Sequence, residues 1–259
     1  MSYTGTCANR FYWNCVYCCR NFRPLKRDLI KLLVEATKAG DEKELEYFFV
    51  RAQIECSKSD TMFEITDVLN SLGDDGFGCL HWCCKNDDLP MLLRLFAFPG
   101  IDLDLPDHRG FTPLHICCQM GHSACTNMLL NYGASANLTD RKKNSPLILA
   151  ASAGYSGSCR ALLDHGANSS YRNILGLSAL MAAIMHQKTS TALLLIKLGA
   201  DMSIVDAQGN SPLHYACEAN TSDVAKFLME NGHKVRVYNK YNGKFQLCNS
   251  IFKIKYYIV

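Results

Sequence analysis

One nine-residue phrase returns at a fixed interval and limits what this chain can fold into. Asp107-His-Arg-Gly-Phe-Thr-Pro-Leu-His115 recurs as Asp206-Ala-Gln-Gly-Asn-Ser-Pro-Leu-His214, and the two histidines stand 99 residues apart, three steps of 33. Both intermediate steps are occupied, by Asp140-Arg-Lys-Lys-Asn-Ser-Pro-Leu-Ile148 and by Asn173-Ile-Leu-Gly-Leu-Ser-Ala-Leu-Met181. Self-similarity at such a period means that one small unit, unable to bury its hydrophobic face alone, is stacked on copies of itself.

Each unit continues with small residues (Cys117-Cys118, Ala150-Ala151, Ala216-Cys217) and then a leucine pair such as Leu129-Leu130 or Leu162-Leu163. It closes on Gly133-Ala134, Gly166-Ala167, Gly199-Ala200 or the related Gly232-His233. This succession resembles the ankyrin repeat, a β-turn followed by two antiparallel helices. The resemblance covers residues 29–238 and implies an all-α solenoid of helix-turn-helix units with β-turn tips, about six repeats in number. Two weaker copies lie upstream. Gly76-Phe-Gly-Cys-Leu-His81 with Cys83-Cys84 comes 34 residues before its successor, and Leu33-Val-Glu-Ala36 through Gly40-Asp41 to Phe48-Phe49 reads as a first, capping helix pair. Between Phe49 and Gly76 the spacing is about 14 residues too long, which predicts an inserted loop or short helix around Glu55–Leu69. The chain thus divides into a Cys-rich basic extension (1–28), the array (29–238) and a tail or truncated repeat (239–259).

The spacing has a local chemistry. Pro at the first helical position costs nothing, because its missing N–H would be unpaired there. The preceding Thr112, Ser145, Ser178 or Ser211 can cap the first turn. His81, His115 and His214 are expected to bond backbone or hydroxyl groups and tie neighbouring repeats together. Small Ala or Cys pairs let inner helices approach, leucine pairs supply the buried face of the outer helix, and the closing Gly permits the left-handed residue that stops it.

For function, the resemblance implies a protein-protein interaction scaffold or adaptor, binding through the turn tips and the exposed ends of the inner helices, with no catalytic residues and no cofactor. Carried onto this sequence, the tips are His108, Arg109 and Phe111; Arg141, Lys142 and Asn144; Ile174, Leu175 and Leu177; and Ala207, Gln208 and Asn210. The inner-helix companions are Gln119, Met120, Met185, His186 and Glu218, with Tyr132 and His165 near the ends of preceding outer helices. A basic set, Arg109 with Arg141-Lys142-Lys143, stands beside an apolar set, Ile174, Leu175, Leu177 and Met185. Exposed apolar clusters mark contact sites, so the expected partner is a protein with an acidic rim and an apolar anchor. Packing of Leu175 and Leu177 against the next turn is the alternative.

Charge weighs against nucleic acid as the partner of the array. Of the net +3, residues 1–27 hold five Lys/Arg and residues 232–259 six, neither with an acid, leaving residues 28–231 at −8. The 14 cysteines follow a polar opening instead of an apolar signal segment, so a reducing intracellular setting, cytoplasm or nucleus, is expected. Cys83, Cys84, Cys117, Cys118 and Cys217 then read as buried alanine substitutes. No Gly-rich phosphate loop, zinc pair of standard spacing or nucleophile elbow is present, and a monomeric non-enzyme is expected. At the N-terminus Cys15-x-x-Cys18 allows a zinc ligand pair. Cys18 or Cys19 beside Arg20, Arg23, Lys26 and Arg27 allows palmitoylation, hence a membrane-recruited adaptor. An extension folded over the first helix pair or disordered is the third reading. The terminal Ile251-Phe-Lys-Ile-Lys-Tyr-Tyr-Ile-Val259 is apolar and β-prone where a polar capping repeat is due. It reads as a truncated end or as a membrane- or partner-binding tail.

Overall fold

The structure, a computed structural model, describes residues 26–56 and 64–231. The cysteines proposed for lipidation or metal (Cys15, Cys18, Cys19), the Gly232-His233 closure and the C-terminal run lie outside the described residues. Among the described residues there are helices and no strands. They are α1 (Lys26–Ala39), α2 (Glu42–Cys56), a short α3 (Ile65–Leu69), α4 (Cys79–Asn86), α5 (Leu89–Phe96), α6 (Pro113–Met120), α7 (Ser123–Asn131), α8 (Pro146–Ala153), α9 (Ser156–Asp164), α10 (Ala179–Met185), α11 (Thr189–Lys197), α12 (Pro212–Glu218) and α13 (Ser222–Asn231). Except for α3, they form antiparallel pairs. The first members α1, α4, α6, α8, α10 and α12 stack in one layer, and the second members from α5 to α13 in another. At the N-terminal end α2 is tied to α5 by Arg94, which pairs with Glu46 at 3.0 Å and Glu42 at 3.6 Å. Phe49 also stacks on Phe98 there, 4.5 Å between ring centroids.

The helices begin where the sequence tells them to. Pro113, Pro146 and Pro212 open α6, α8 and α12. Where the phrase ends in His, the imidazole Nδ1 accepts from the cap residue's backbone N–H, at 3.2 Å from Thr112 and 3.0 Å from Ser211, and also from its hydroxyl, at 2.8 Å in both copies. Where Ile148 or Met181 stands instead, the freed Ser145 or Ser178 hydroxyl accepts from that residue's own N–H at 3.4 Å. The first and second helix of each pair are separated by a left-handed residue, Gly40 (φ 67°), Gly121 (φ 84°) and Gly154 (φ 94°) in three pairs and Asp87, Gln187 and Asn220 in the other three.

One continuous hydrophobic cluster runs from Leu29 in α1 to Leu228 in α13. Cys83, Cys84, Cys117, Cys118, Ala150, Ala151, Ala183 and Ala216 are fully buried. These small side chains let successive inner helices lie close, while Leu92, Leu129, Leu162 and Leu195 fill the space beneath the outer layer. Burial raises the Cys79 and Cys159 thiols to about 12 and pushes Cys83, Cys84, Cys117 and Cys118 up as well. Thiols held protonated in apolar surroundings are packing groups, poor as nucleophiles.

Candidate functional site

The four loops from Asp107 onward share one construction. An acceptor side chain at the first position folds the turn by taking two backbone N–H groups: Asp107 Oδ1 from Arg109 and Phe111, both at 2.7 Å; Asp140 Oδ1 from Lys142 at 2.8 Å and Asn144 at 2.7 Å; Asp206 Oδ1 from Gln208 at 2.9 Å and Asn210 at 2.7 Å. Asn173 Oδ1 does the same for Leu175 and Leu177, both at 3.0 Å. Its amide leaves a donor to spare, which reaches Asn144 Oδ1 at 3.0 Å, and Asn144 Nδ2 in turn donates to Asp140 Oδ2 at 2.9 Å. The fourth residue of each turn is left-handed. Gly110, Gly176 and Gly209 serve there, but Lys143 holds the position in the second turn with φ 58°. This conformation is unfavourable by about 1 kcal/mol or more for a residue with a Cβ.

Successive tips are joined edge to edge. Arg141 N donates to Arg109 O at 3.0 Å, Ile174 N to Lys142 O at 3.0 Å, and Ala207 N to Leu175 O at 3.3 Å. The approach is close enough that a Cβ on Gly176 would meet Ala207 N at 2.5 Å. The histidines reinforce the joint from beneath: His81 Nε2 donates to Phe111 O at 3.0 Å and His115 Nε2 to Asn144 O at 3.2 Å. With Nδ1 already accepting, each ring is needed as the neutral Nε2–H tautomer. Burial lowers the pKa of both below its ordinary value, opposed by the backbone carbonyl each one meets.

The ladder sorts the residues expected at the tips. His108, Arg109, Arg141, Lys142, Ile174, Leu175 and Gln208 are exposed, as are Gln119, Met120, Tyr132, Met185, His186 and Glu218. Ile174 and Leu175, at 60% and 64%, are the most exposed large apolar side chains among the described residues. Phe111 and Leu177, expected on the surface, are instead buried at 8% and 4%. Phe111 turns inward to stack on His115, 5.6 Å between ring centroids, and the Arg109 guanidinium covers its outer face at 4.6 Å. Leu177 is the answering position of the Asn173 turn, so of the two leucines only Leu177 packs inward. Asn144 is half-buried, and its amide is committed to the Asp140–Asn173 relay. The exposed row therefore reads Arg109, Arg141, Lys142, Ile174, Leu175, basic at one end and apolar at the other, with each step fixed by a backbone bond.

Two cationic positions on the inner face were not singled out in the sequence. Each inner helix ends in two residues and a left-handed residue, followed by an N–H that returns to the carbonyl two residues before the first of that pair. The returning bonds are Asp41 to Ala36 (3.1 Å), Asp88 to Cys83 (3.0 Å), His122 to Cys117 (3.0 Å), Tyr155 to Ala150 (3.0 Å), Lys188 to Ala183 (2.8 Å) and Thr221 to Ala216 (2.9 Å). That register aligns Lys38 and Lys85 with Gln119, Ser152, Met185 and Glu218. The signal was hidden because α1 lacks the Thr-Pro-Leu-His phrase and Asp87 replaces the expected glycine.

A family model described as "Ankyrin repeats (3 copies)" matches residues 80–173 and again residues 170–239. These matches take in more than half of the chain, and the chain belongs to the ankyrin-repeat family. Among curated proteins it is 32% identical over 79 residues to the SMC5-SMC6 complex localization factor protein 1 of Bos taurus, which is 30% of this chain and 8% of that protein. It is 40% identical over 65 residues to the Target of rapamycin complex 2 subunit AVO2 of Saccharomyces cerevisiae, 25% of this chain and 15% of the relative. To the ADP-ribosylation factor GTPase-activating protein AGD2 of Arabidopsis thaliana it is 32% identical over 123 residues, 42% of this chain and 16% of the relative. The chain thus spans a small part of the length of each of these relatives. No helix among the described residues is long and apolar enough to cross a membrane.

Proposed function

We propose that the chain is a non-enzymatic scaffold that binds a protein partner along the ladder of turn tips and the adjoining ends of the inner helices. The observation that carries this reading is the exposed row from Arg109 to Leu175. Turn residues that serve only the fold have no need of two apolar side chains more than half exposed, side by side on a rigid ladder next to three arginine and lysine side chains. The fitting partner has acidic side chains for Arg109, Arg141 and Lys142 and an apolar anchor for Ile174 and Leu175. Two of the relatives are named for two different protein complexes, one as a localization factor of the SMC5-SMC6 complex and one as a subunit of Target of rapamycin complex 2, which agrees with an adaptor role. Several polar groups with chemical potential are committed to structure: His81 and His115 bridge repeats, and burial pushes the Cys83 and Cys117 thiols up, away from the reactive thiolate.

Photo-crosslinking tests the placement. A benzophenone amino acid introduced at Lys142 or Leu175 should trap a common set of proteins in cell lysate, whereas the same group at Arg160, exposed on α9 in the outer layer, should not. Equal trapping from all three positions would remove the tips as the binding face.

A further inference from the structure

We propose that Lys38, Lys85 and Trp82 form a second binding subsite, at the N-terminal end of the same face, that receives a carboxylate side chain of an acidic protein partner. It extends the proposed function, since the two lysines occupy the inner-face row that continues through Gln119, Ser152, Met185 and Glu218. That row runs from two cations at one end to an anion at the other.

The two ammoniums converge on one ring. Lys85 Nζ lies 4.4 Å from the Trp82 ring centroid and Lys38 Nζ 4.9 Å from it. Their mutual separation is therefore below the Debye length of about 10 Å at 0.1 M salt, and their repulsion is only partly screened. Phe77, at the tip beside them, meets Trp82 edge-on at 5.4 Å and lies 5.4 Å from Lys85 Nζ. Lys85 thus contacts both rings, and Lys38 contacts Trp82. Among the described residues neither lysine is paired with a carboxylate.

An independent observation points to a missing acceptor. Trp82 is 8% exposed, and its buried Nε1–H has no hydrogen-bond partner. Buried donors are rarely left so. Cation–π contact accounts for each lysine singly, but it leaves two like charges together and the indole donor unmet. A carboxylate between the ammoniums offsets one of the two charges and relieves their mutual repulsion. In this proposal the second carboxylate oxygen accepts the unmet Trp82 Nε1–H.

The test uses the full chain labelled with 15N, in which the two tryptophans, Trp13 and Trp82, give two indole N–H signals assigned by a Trp13→Phe variant. Hexaglutamate is titrated at constant ionic strength, with inorganic phosphate and sodium chloride in parallel. The proposal expects a saturable downfield shift of the Trp82 indole with hexaglutamate and a small, unsaturating one with phosphate. The apparent affinity should fall at least ten-fold in Lys38→Gln/Lys85→Gln and be kept in Lys38→Arg/Lys85→Arg. A Trp82 signal that does not move, moves as much with phosphate, or moves equally in the glutamine variant overturns the proposal. If Trp82 is silent while crosslinking from Lys142 and Leu175 persists, this subsite fails and the scaffold reading stands. A Trp82 response without tip crosslinking would fail the tips alone.

Discussion

Ile174 donates its backbone N–H to the carbonyl of Lys142 at 3.0 Å, and this bond joins the last basic tip of the ladder to the first apolar one. Because it is a main-chain bond, the juxtaposition of charge and apolar surface does not depend on rotamers. A partner meets both in a fixed order. Arg141→Glu/Lys142→Glu is expected to slow association and to reduce its dependence on salt, and Leu175→Ala to speed dissociation. Surface plasmon resonance with a captured partner reads the two rates separately.

The close approach of neighbouring tips predicts an asymmetry between two glycines with nearly the same φ. Gly166 (φ 79°) has nothing within 4 Å of a Cβ built on it, whereas at Gly176 (φ 82°) that Cβ lies 2.5 Å from Ala207 N. Gly166→Ala should cost about 1 kcal/mol, for the backbone conformation alone. Gly176→Ala adds a backbone clash and should cost about 2–3 kcal/mol more, as overpacking does. Urea unfolding of the two variants measures the difference.

Lys143 holds a position that is glycine in four other described turns, at Gly76, Gly110, Gly176 and Gly209, and its cost is removable. Lys143→Gly relieves the left-handed strain but gives the unfolded chain more freedom. Stability should therefore rise by no more than about 1 kcal/mol, without loss of the Lys143–Asp140 turn bond. A fall in stability would show that the side chain makes a compensating contact.

His81 and His115 set a pH dependence with a definite sign. Burial lowers their folded-state pKa below the ordinary 6.5, so the unfolded chain takes up protons first as pH falls. Stability from these two residues is fully present above about 6.5 and declines below it, by at most about 1.4 kcal/mol per pH unit for each histidine. Protonation would also place an N–H on Nδ1, facing the Thr112 N–H that now donates to it. Urea midpoints at a series of pH values between 7.5 and 5 should show this decline, and His115→Gln should flatten it.

The buried thiols offer a readout of the array's closure. Cys79, Cys83, Cys84, Cys117, Cys118 and Cys159 should resist iodoacetamide in the native chain and react in urea, because the thiolate is the reacting form and burial suppresses it. Half-buried Cys217 should react earlier. Peptide mapping resolves the order.

The sequence made the array legible because Thr-Pro-Leu-His encodes a helix start in local chemistry. Pro113, Pro146 and Pro212 begin helices, and the His and hydroxyl groups pair as their spacing allows. The direction of a turn side chain is not local. Phe111 and Leu177 occupy the tip's last variable position, which points outward or inward according to what lies beneath, and in Phe111 the ring of His115 draws it in. Lys38 and Lys85 were missed for the opposite reason. Their phase is set by left-handed residues, Gly40 and Asp87, that only backbone angles align with Gly121.

Whether the tip ladder is the functional face is read out by a paired affinity capture. The intact chain is compared with Arg141→Glu/Lys142→Glu/Leu175→Asp and with a control triple variant, Arg160→Glu/Lys197→Glu/Lys226→Glu, altered on exposed positions of the outer helices α9, α11 and α13. All three must show the same cooperative unfolding. The tip variant should lose the proteins that the intact chain retains, and the outer-helix variant should keep them. Partners kept by the tip variant, or lost equally from both, would contradict it.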